Sequence, residues 1–282
     1  MSAHRIPHRR SGVSLVELLV AMTLLGVVGL SILRTFTSQA RLADLHAKRL
    51  DARSVSRAPV NLFMSEARMV ETGNGVVAAS ASSVTLRIPV MMGLVCGSTG
   101  SATALSVLPV DSATLASAAV SGHAWRQVSG AYAYTEGAVS FSAGGAAVCA
   151  SAAASITTVP DGRTIIVSPE MVGASVGTVA FLYQTVRYDF AASSTLAGRV
   201  GLWRTLAQSG ATEELAAPFD ASSRFRFYRV DQDTSDVVVP PLTEIRGLEL
   251  ELIGASKHSR FGRGSPETSR HETAVFFMNR LN

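Results

Sequence analysis

The sequence predicts an α+β fold, in which one long N-terminal helix with a membrane-spanning first half packs on a mainly antiparallel β-sheet head. Three observations lead to this fold class. Residues 13–33 are almost entirely apolar, residues 34–72 mix polar and apolar side chains without a glycine, and the chain from residue 76 onward breaks into short β-prone runs. With 282 residues, 47% of them hydrophobic, the chain is long enough to form a substantial core.

The apolar stretch is long enough to cross a bilayer. Within residues 13–33 the only strongly polar residue is Glu17, and at ~1.5 Å rise per residue such a helix matches a hydrocarbon core of ~30 Å. The denser basic cluster, Arg5, Arg9 and Arg10, precedes the stretch. The positive-inside rule therefore predicts a cytoplasmic N-terminus, with the bulk of the chain across the membrane.

Glu17 distinguishes this stretch from three ordinary kinds of apolar segment. A secretory signal peptide has a shorter core without an acid and ends at a small-x-small site, which Gly29-Leu30-Ser31 matches only weakly. A twin-arginine signal needs more than the pair Arg9-Arg10. A plain single-span anchor gains nothing from a carboxylate, which costs several kcal/mol deep in a bilayer and is by default functional.

The carboxylate needs a cationic partner, and the span contains no Lys, Arg or His. One source is a new α-amine, created by cutting the chain just before the apolar run and supplied by a neighbouring copy of the same helix. Gly26 and Gly29 leave small surfaces where helices can approach closely, although simple tolerance of glycine in a membrane helix explains them equally well.

The helix is predicted to continue through residues 34–72, because apolar residues recur there at mixed three and four spacing. Pro59 should kink or interrupt it, since proline has no N–H and crowds the preceding turn. Gly73-Asn74-Gly75 should end it. The face predicted to lie against the head consists of Val55, Ala58, Leu62 and Met69.

The head, residues 73–282, is predicted to be built from strands. In residues 186–190 and 223–230 apolar and charged side chains alternate, as expected for a sheet with one dry face. The runs predicted as strands are SVTLRIPV, RTIIVSPE, TVAFLYQTVRYDF, GLWRTL, SRFRFYRV, TEIRGLELELIG and ETAVFFMNRL.

The two cysteines, Cys96 and Cys149, lie well beyond the apolar run. If that side of the membrane is oxidising, one disulfide is expected, the alternative being two unrelated buried thiols. The bond would bracket the poorly patterned Ala/Ser/Gly-rich stretch of residues 98–154 and restrain it. Their spacing fits no zinc pattern.

Residues 9–20 strongly resemble the type IV prepilin signal. Arg9-Arg10-Ser11-Gly12 ends a short basic leader in glycine, Val13 is an apolar first mature residue, and Glu17 holds the fifth mature position. The resemblance implies that a prepilin peptidase cuts between Gly12 and Val13 on the cytoplasmic side and methylates the new amine of Val13. Family members usually begin with Phe or Met, so Val13 is a departure.

The resemblance also implies what Glu17 does and where the protein lies. In a filament, Glu17 of an incoming subunit would neutralise the α-amine of a subunit already in the fibre, so that two costly groups become one charge-assisted pair. The chain would divide into a leader (1–12), the transmembrane half of the helix (13–33), its extramembrane half (34–72) and the head. It would sit in the inner membrane as a single-pass protein, with a periplasmic head, before reaching a filament or the cell surface.

The long helix and β-rich head resemble type IV pilins and type II secretion pseudopilins as a class. The size of the chain, the phrases VRYDF and GLWRTL, and the late IRGLELELIG resemble most the larger minor components, the PilW-like minor pilins and J-type pseudopilins. The resemblance implies partners among other pilin-like subunits, with an assembly platform and an ATPase acting indirectly.

Two further patterns resemble a catalytic motif and a metal site only in part. Gly173-Ala174-Ser175-Val176-Gly177 satisfies GxSxG, but the residues after it predict a strand where a nucleophile elbow needs a helix, so a plain turn is expected. The acids Asp231, Asp233 and Asp236 could offer oxygens to calcium, yet they lack the Gly and bidentate Glu of an EF-hand. A solvated acidic turn is the better interpretation.

The segment SKHSRFGRGSPETSRHE, residues 256–272, is locally basic and predicted to be a flexible loop. Lys257, Arg260 and Arg263 could touch DNA phosphates or another surface, with Phe261 able to stack on a base. The chain carries a formal charge of +4, of which three arginines lie before the apolar run, leaving +1 for the rest. With Arg270 the segment has four dispersed cations, which make a small footprint, so an ordinary exposed loop is favoured and nucleic acid is not an expected partner.

These patterns together predict a structural, non-enzymatic subunit without a cofactor. It would be a minor pilin or pseudopilin that helps initiate or assemble a type IV pilus or a type II secretion pseudopilus. The alternative is a filament-tip adhesin or the DNA-capture subunit of a competence pilus, using the basic segment. A third hypothesis, a membrane-anchored hydrolase, depends on Ser175 and is not expected.

Overall fold

The computed structural model describes residues 14–108, 118–135, 139–152, 162–259 and 264–277, apart from the side chain of Ala58. The described residues form three α-helices and fourteen strands. The helices are α1 (Leu15–Ser54), α2 (Arg57–Ala67) and α3 (Ala146–Ser151). The predicted fold class is confirmed.

The first seven strands are β1 (Val76–Ser80), β2 (Ser83–Ser98), β3 (Thr103–Val107), β4 (Gly122–Arg126), β5 (Tyr132–Thr135), β6 (Ser140–Ala143) and β7 (Arg163–Ser168). The others are β8 (Val179–Ala192), β9 (Val200–Leu206), β10 (Thr212–Phe219), β11 (Arg224–Arg229), β12 (Ser235–Asp236), β13 (Ile245–Ser259) and β14 (Pro266–Phe276). Within the described residues every strand pairing is antiparallel, in the order β12-β11-β13-β10-β9-β8-β2-β3-β7-β6. In addition β1 pairs with β2, β14 with β13, and β4 with β5 and β8.

The long pair β2 and β8 joins two hydrophobic cores. The first half of β2 and the second half of β8 face the core that α2 covers, and their other halves face the core of β3, β4 and β7. A register shift between Pro89 and Met91 allows one face of β2 to be buried in both cores. Because successive side chains of a strand alternate between faces, the extra residue at a bulge moves Met91 to the same face as Leu86 and Ile88.

The apolar helix α1 is exposed along its whole first half. Every residue from 14 to 43 is exposed, and partial burial begins at Asp44 and Leu45. The head therefore starts about 17 Å beyond Leu33 at the helical rise. One helical stretch, residues 15–67, is long and apolar enough to span a membrane among the described residues.

The end of α1 packs on β13 without a gap, because residue 254 is a glycine. A side chain at Gly254 would overlap the carbonyl oxygen of Ala52. The Asp51 carboxylate accepts a hydrogen bond from the Lys257 backbone N–H at 3.0 Å, and Arg49 lies 3.9 Å from Glu267. Gly254 therefore lies beside Ala52, Lys257 contacts Asp51, and Glu267 of β14 lies near Arg49, which is closer to the span.

The helix is interrupted before Pro59, which becomes the third residue of α2. A proline is tolerated there, because the first turn of a helix has no intrahelical partner for its N–H groups. The predicted contact face is correct at Val55, which packs against the core, and wrong at Met69, which is 43% exposed. The buried apolar residues in this part of the chain include Val60, Phe63, Ala67 and Val70.

Two regions of the head differ from their predicted structure. Residues 98–154 contain strands β3 to β6 and helix α3 rather than one unpatterned loop. The basic segment is largely strand, since β13 extends to Ser259 and β14 begins at Pro266. Arg270, predicted to lie in a flexible loop, is in β14 and pairs with Glu251 on the neighbouring strand at 2.9 Å.

Candidate assembly site on the N-terminal helix

Glu17 lies in the first turn of α1, where the helix begins on a capping serine. Ser14 is the N-cap, and its Oγ accepts a hydrogen bond from the Glu17 backbone N–H at 3.1 Å. A carboxylate at this end of a helix interacts favourably with the positive end of the helix dipole. The side chain itself is exposed in the single chain.

The surroundings of Glu17 are apolar and open. A shallow depression on this part of α1 is lined by Glu17, Leu18, Ala21, Met22 and Leu25. The first cation that follows in the sequence is Arg34, about 25 Å further along a helix. A partner for the carboxylate therefore has to come from another chain or from the N-terminus before residue 14.

Gly12 and Val13, the predicted cleavage and methylation positions, lie outside the described residues. They remain sequence-based predictions. The structure brings Glu17 to an exposed apolar surface in the first turn of a helix, which is what a charge pair between neighbouring helices requires.

The structure joins Cys96 and Cys149 in a disulfide, as predicted. Cys96 is on β2 and Cys149 on α3, and both are buried with Ala104 and partly buried Val148. The bond therefore holds α3 against the sheet. Gly145 caps this short helix with a φ of 84°, and a side chain there would press on Ala104 at 2.9 Å.

The other predicted sites do not come together as binding sites. Asp231 pairs with Arg229 at 3.4 Å, and Asp233 pairs with Arg246 at 2.8 Å. The Asp236 carboxylate accepts a hydrogen bond from a backbone N–H two residues later. No group of three His, Cys, Asp or Glu residues that could hold a metal occurs in the part of the chain the structure describes.

Ser175 lies in a turn, and the next element is strand β8, as expected for a plain turn. Its hydroxyl lies 3.4 Å from the hydroxyl of Thr178. Lys257 is exposed near the end of β13. Arg260 and Arg263 lie outside the described residues.

Sequence reasoning missed a buried polar cluster that fixes α2 to the sheet. The Glu66 carboxylate accepts hydrogen bonds from the Tyr188 hydroxyl and from Arg204, whose Nη2 is 2.7 Å from Oε1. Both charged side chains are nearly buried, with exposed fractions of 11% and 12%. These residues are separated by 122 and 138 positions, so no local pattern could reveal the cluster.

A second buried carboxylate anchors the turn after α2. The Tyr134 hydroxyl donates to Glu71 at 3.0 Å, and the Asn74 backbone N–H donates to the same oxygen at 3.1 Å. Burial raises the pKa of Glu71 above its usual range. The Arg87 guanidinium lies 4.6 Å from the Tyr134 ring centre. A cation–π contact therefore adds to the hydrogen bonds of Tyr134 and Glu71 at this end of the head.

Comparison with known proteins adds one family match. Residues 7–33 match the family model described as the prokaryotic N-terminal methylation motif. No curated protein and no solved structure matches the chain significantly. The match supports the type IV pilin and pseudopilin family in general, and with the long apolar helix it fits a single-pass protein anchored in the inner membrane.

Proposed function

We propose that the protein is a minor pilin or pseudopilin, a structural subunit that helps initiate or assemble a type IV pilus or a type II secretion pseudopilus. The observation that carries this proposal is Glu17, a single acid in the first turn of an exposed apolar helix, inside the matched methylation motif. Placing that carboxylate in lipid is unfavourable until a cation from a neighbouring subunit reaches it.

The proposal includes processing between Gly12 and Val13 by a prepilin peptidase. Residues 1–12 would be removed, 13–33 would span the membrane, 34–72 would form the extramembrane half of the helix, and 73–282 would form the head. The methylated amine of Val13 in one subunit would then pair with Glu17 of the next.

The numbers of cations before and after the span do not by themselves determine on which side of the membrane the head lies. Three arginines precede the span, but five cations follow within about 20 residues, the range over which such charges act; these are Arg34, Arg41, Lys48, Arg49 and Arg53. The disulfide between Cys96 and Cys149 supports a head in the periplasm, because disulfides persist in oxidising compartments and are rare in the cytosol.

The minor-subunit role is supported by the size of the head. The described head spreads over two cores joined by β2 and β8, and a wide head is harder to repeat in a close-packed helical fibre.

The adhesin or DNA-capture role is supported less well. Of Lys257, Arg260 and Arg263, only Lys257 lies within the described residues, on the part of β13 that contacts α1 through Asp51.

Mass analysis of protein made beside its peptidase tests the processing step. We expect a species that begins at methylated Val13. Mature protein that retains Met1, or that begins near Ile32, would contradict the proposal.

Glu17→Ala tests the assembly step. Processing should remain largely intact, while incorporation into filaments should fall severely because the charge pair is lost. Asp44→Ala is the matched control, since it removes an acid from the same helix outside the span, and filaments should persist. Normal filaments with Glu17→Ala would remove the proposed role of the acid.

A further inference from the structure

The stretch of α1 between the span and the head is exposed to solvent in the described part of the chain. Residues 34–43 are all exposed, and the stretch carries two arginines, Arg34 and Arg41. The sequence has no acid between Glu17 and Asp44. Within the described residues neither arginine side chain makes an ion pair or a hydrogen bond.

The continuous helix fixes how far each arginine lies from the lipid. If the span ends at Leu33, Arg34 is at the hydrocarbon boundary and Arg41 is about 12 Å beyond it. The headgroup layer on each side of a bilayer is about 6 Å thick. Arg34 therefore lies within the headgroups, and Arg41 lies closer to them than the ~8 Å screening length at physiological salt.

The next cations along α1 differ from these two. Lys48 would be about 22 Å beyond Leu33 in an upright helix, and it pairs with Asp44 at 3.9 Å. Arg49 lies 3.9 Å from Glu267 of the head. Arg34 and Arg41 are thus the cations of this helix that are both near the membrane surface and unpaired within the described part of the chain.

We infer that Arg34 and Arg41 bind the headgroups of anionic phospholipids. Seven residues apart, they lie two turns apart on nearly the same face of α1. A guanidinium group presents a planar fork of donors that suits phosphate oxygens. This contact sets the height of the head above the bilayer and has to be broken when the helix leaves the membrane.

The inference goes beyond the proposed function, because it requires only that residues 15–33 lie in a bilayer. Its test uses the full chain, purified in a neutral detergent with an equal mixture of phosphatidylglycerol and phosphatidylcholine. Native mass spectrometry measures which lipid stays bound. We expect phosphatidylglycerol to be enriched about fivefold for each arginine near the surface, and the enrichment to fall in about 0.5 M NaCl.

The variant Arg34→Gln/Arg41→Gln should lose the part of the enrichment that these two arginines supply, about fivefold for each, and keep only the part that Arg5, Arg9 and Arg10 on the other side of the span supply. Lys48→Gln removes the same charge higher on the same helix and should keep the enrichment. The thermal unfolding of the head should be unchanged in the double variant, since both arginines are exposed and neither makes an ion pair or a hydrogen bond within the described residues. Equal retention of both lipids by the unmodified chain, or enrichment in the double variant as high as in the unmodified chain, would overturn the inference. If the double variant loses a protein partner while its lipid retention is unchanged, the arginines bind protein instead.

Discussion

The head should become less stable in mild acid because of one buried histidine. His123 on β4 is fully buried, and neither ring nitrogen has a hydrogen-bond partner among the residues that the structure describes. It lies between Leu182 of β8 and Thr135 of β5 in the sheet, with the Trp125 ring 5.8 Å away. Burial lowers the pKa of His123 to about 4 from an ordinary value of 6.5.

The sign and size of the effect follow from these two pKa values. Above pH 6.5 the ring is neutral in both states. Between pH 6.5 and 4 the unfolded chain takes up a proton that the folded chain refuses, so the free energy of unfolding falls as the pH falls. The loss is about 2 kcal/mol between pH 7 and pH 5, and about 3 kcal/mol once the pH is below 4.

His123→Leu isolates this contribution. At pH 7 the variant should be more stable than the unmodified chain by about 1–3 kcal/mol, because two buried nitrogens without partners are replaced by an apolar side chain of similar volume. At pH 5 the difference should widen by about 2 kcal/mol. Urea unfolding of the full chain in neutral detergent, followed by tryptophan fluorescence, measures both values.

Comparing His123→Leu with the unmodified chain at each pH removes the contributions of other titratable groups to the free energy of unfolding. The raised pKa of Glu71, for example, acts in the opposite direction, since its neutral form is favoured in the fold and gains population as the pH falls. That contribution is common to both proteins and cancels in their difference. A stability difference that is the same at pH 7 and pH 5 would refute the reasoning for His123.

Three further changes test the contacts that hold the head together. Glu66→Ala should cost about 3 kcal/mol because the nearly buried Arg204 guanidinium loses its buried partner. Glu213→Ala removes the other, 57% exposed partner of the same arginine and should cost less than about 1 kcal/mol. Gly254→Ala should cost several kcal/mol because its Cβ overlaps the backbone of α1, while Gly264→Ala, which meets nothing within 4 Å, should be nearly neutral. Cys149→Ser should cost about 4 kcal/mol by opening a loop closed over 53 positions.

Chemical unfolding of the full chain measures all three. Equal losses for the two glutamate variants would mean that burial of the ion pair is unimportant. A neutral Gly254→Ala would show that the helix can move off β13 without cost. A disulfide variant as stable as the unmodified chain would mean that α3 is held by packing alone.

Strands with one dry face could be predicted from the sequence, and strands built from small residues could not. The alternation in β8 and β11 is visible because large apolar side chains face one core. Strands β3 and β6 are made largely of Ser, Ala and Thr, which show no such period. They are strands because neighbouring backbones supply their hydrogen bonds, with β3 held between β2 and β7.

The basic segment shows the same limit in a different form. Charged residues such as Arg270 predict a solvated loop, but here the opposite charge of Glu251 on the adjacent strand makes a cross-strand pair. The partner is 19 positions earlier in the sequence, and only the register of β13 and β14 brings the two together.

The sequence alone determined the anchor and its acid. A bilayer selects a helix by length and composition, and the matched methylation motif is a linear segment, so residues 9–33 contain all the information that the prediction needs. The tertiary structure alone decided how the helix meets the head. The contacts among Glu66, Tyr188 and Arg204 and the close approach at Gly254 join parts of the chain more than 100 positions apart, and packing of this kind leaves no local period in the sequence.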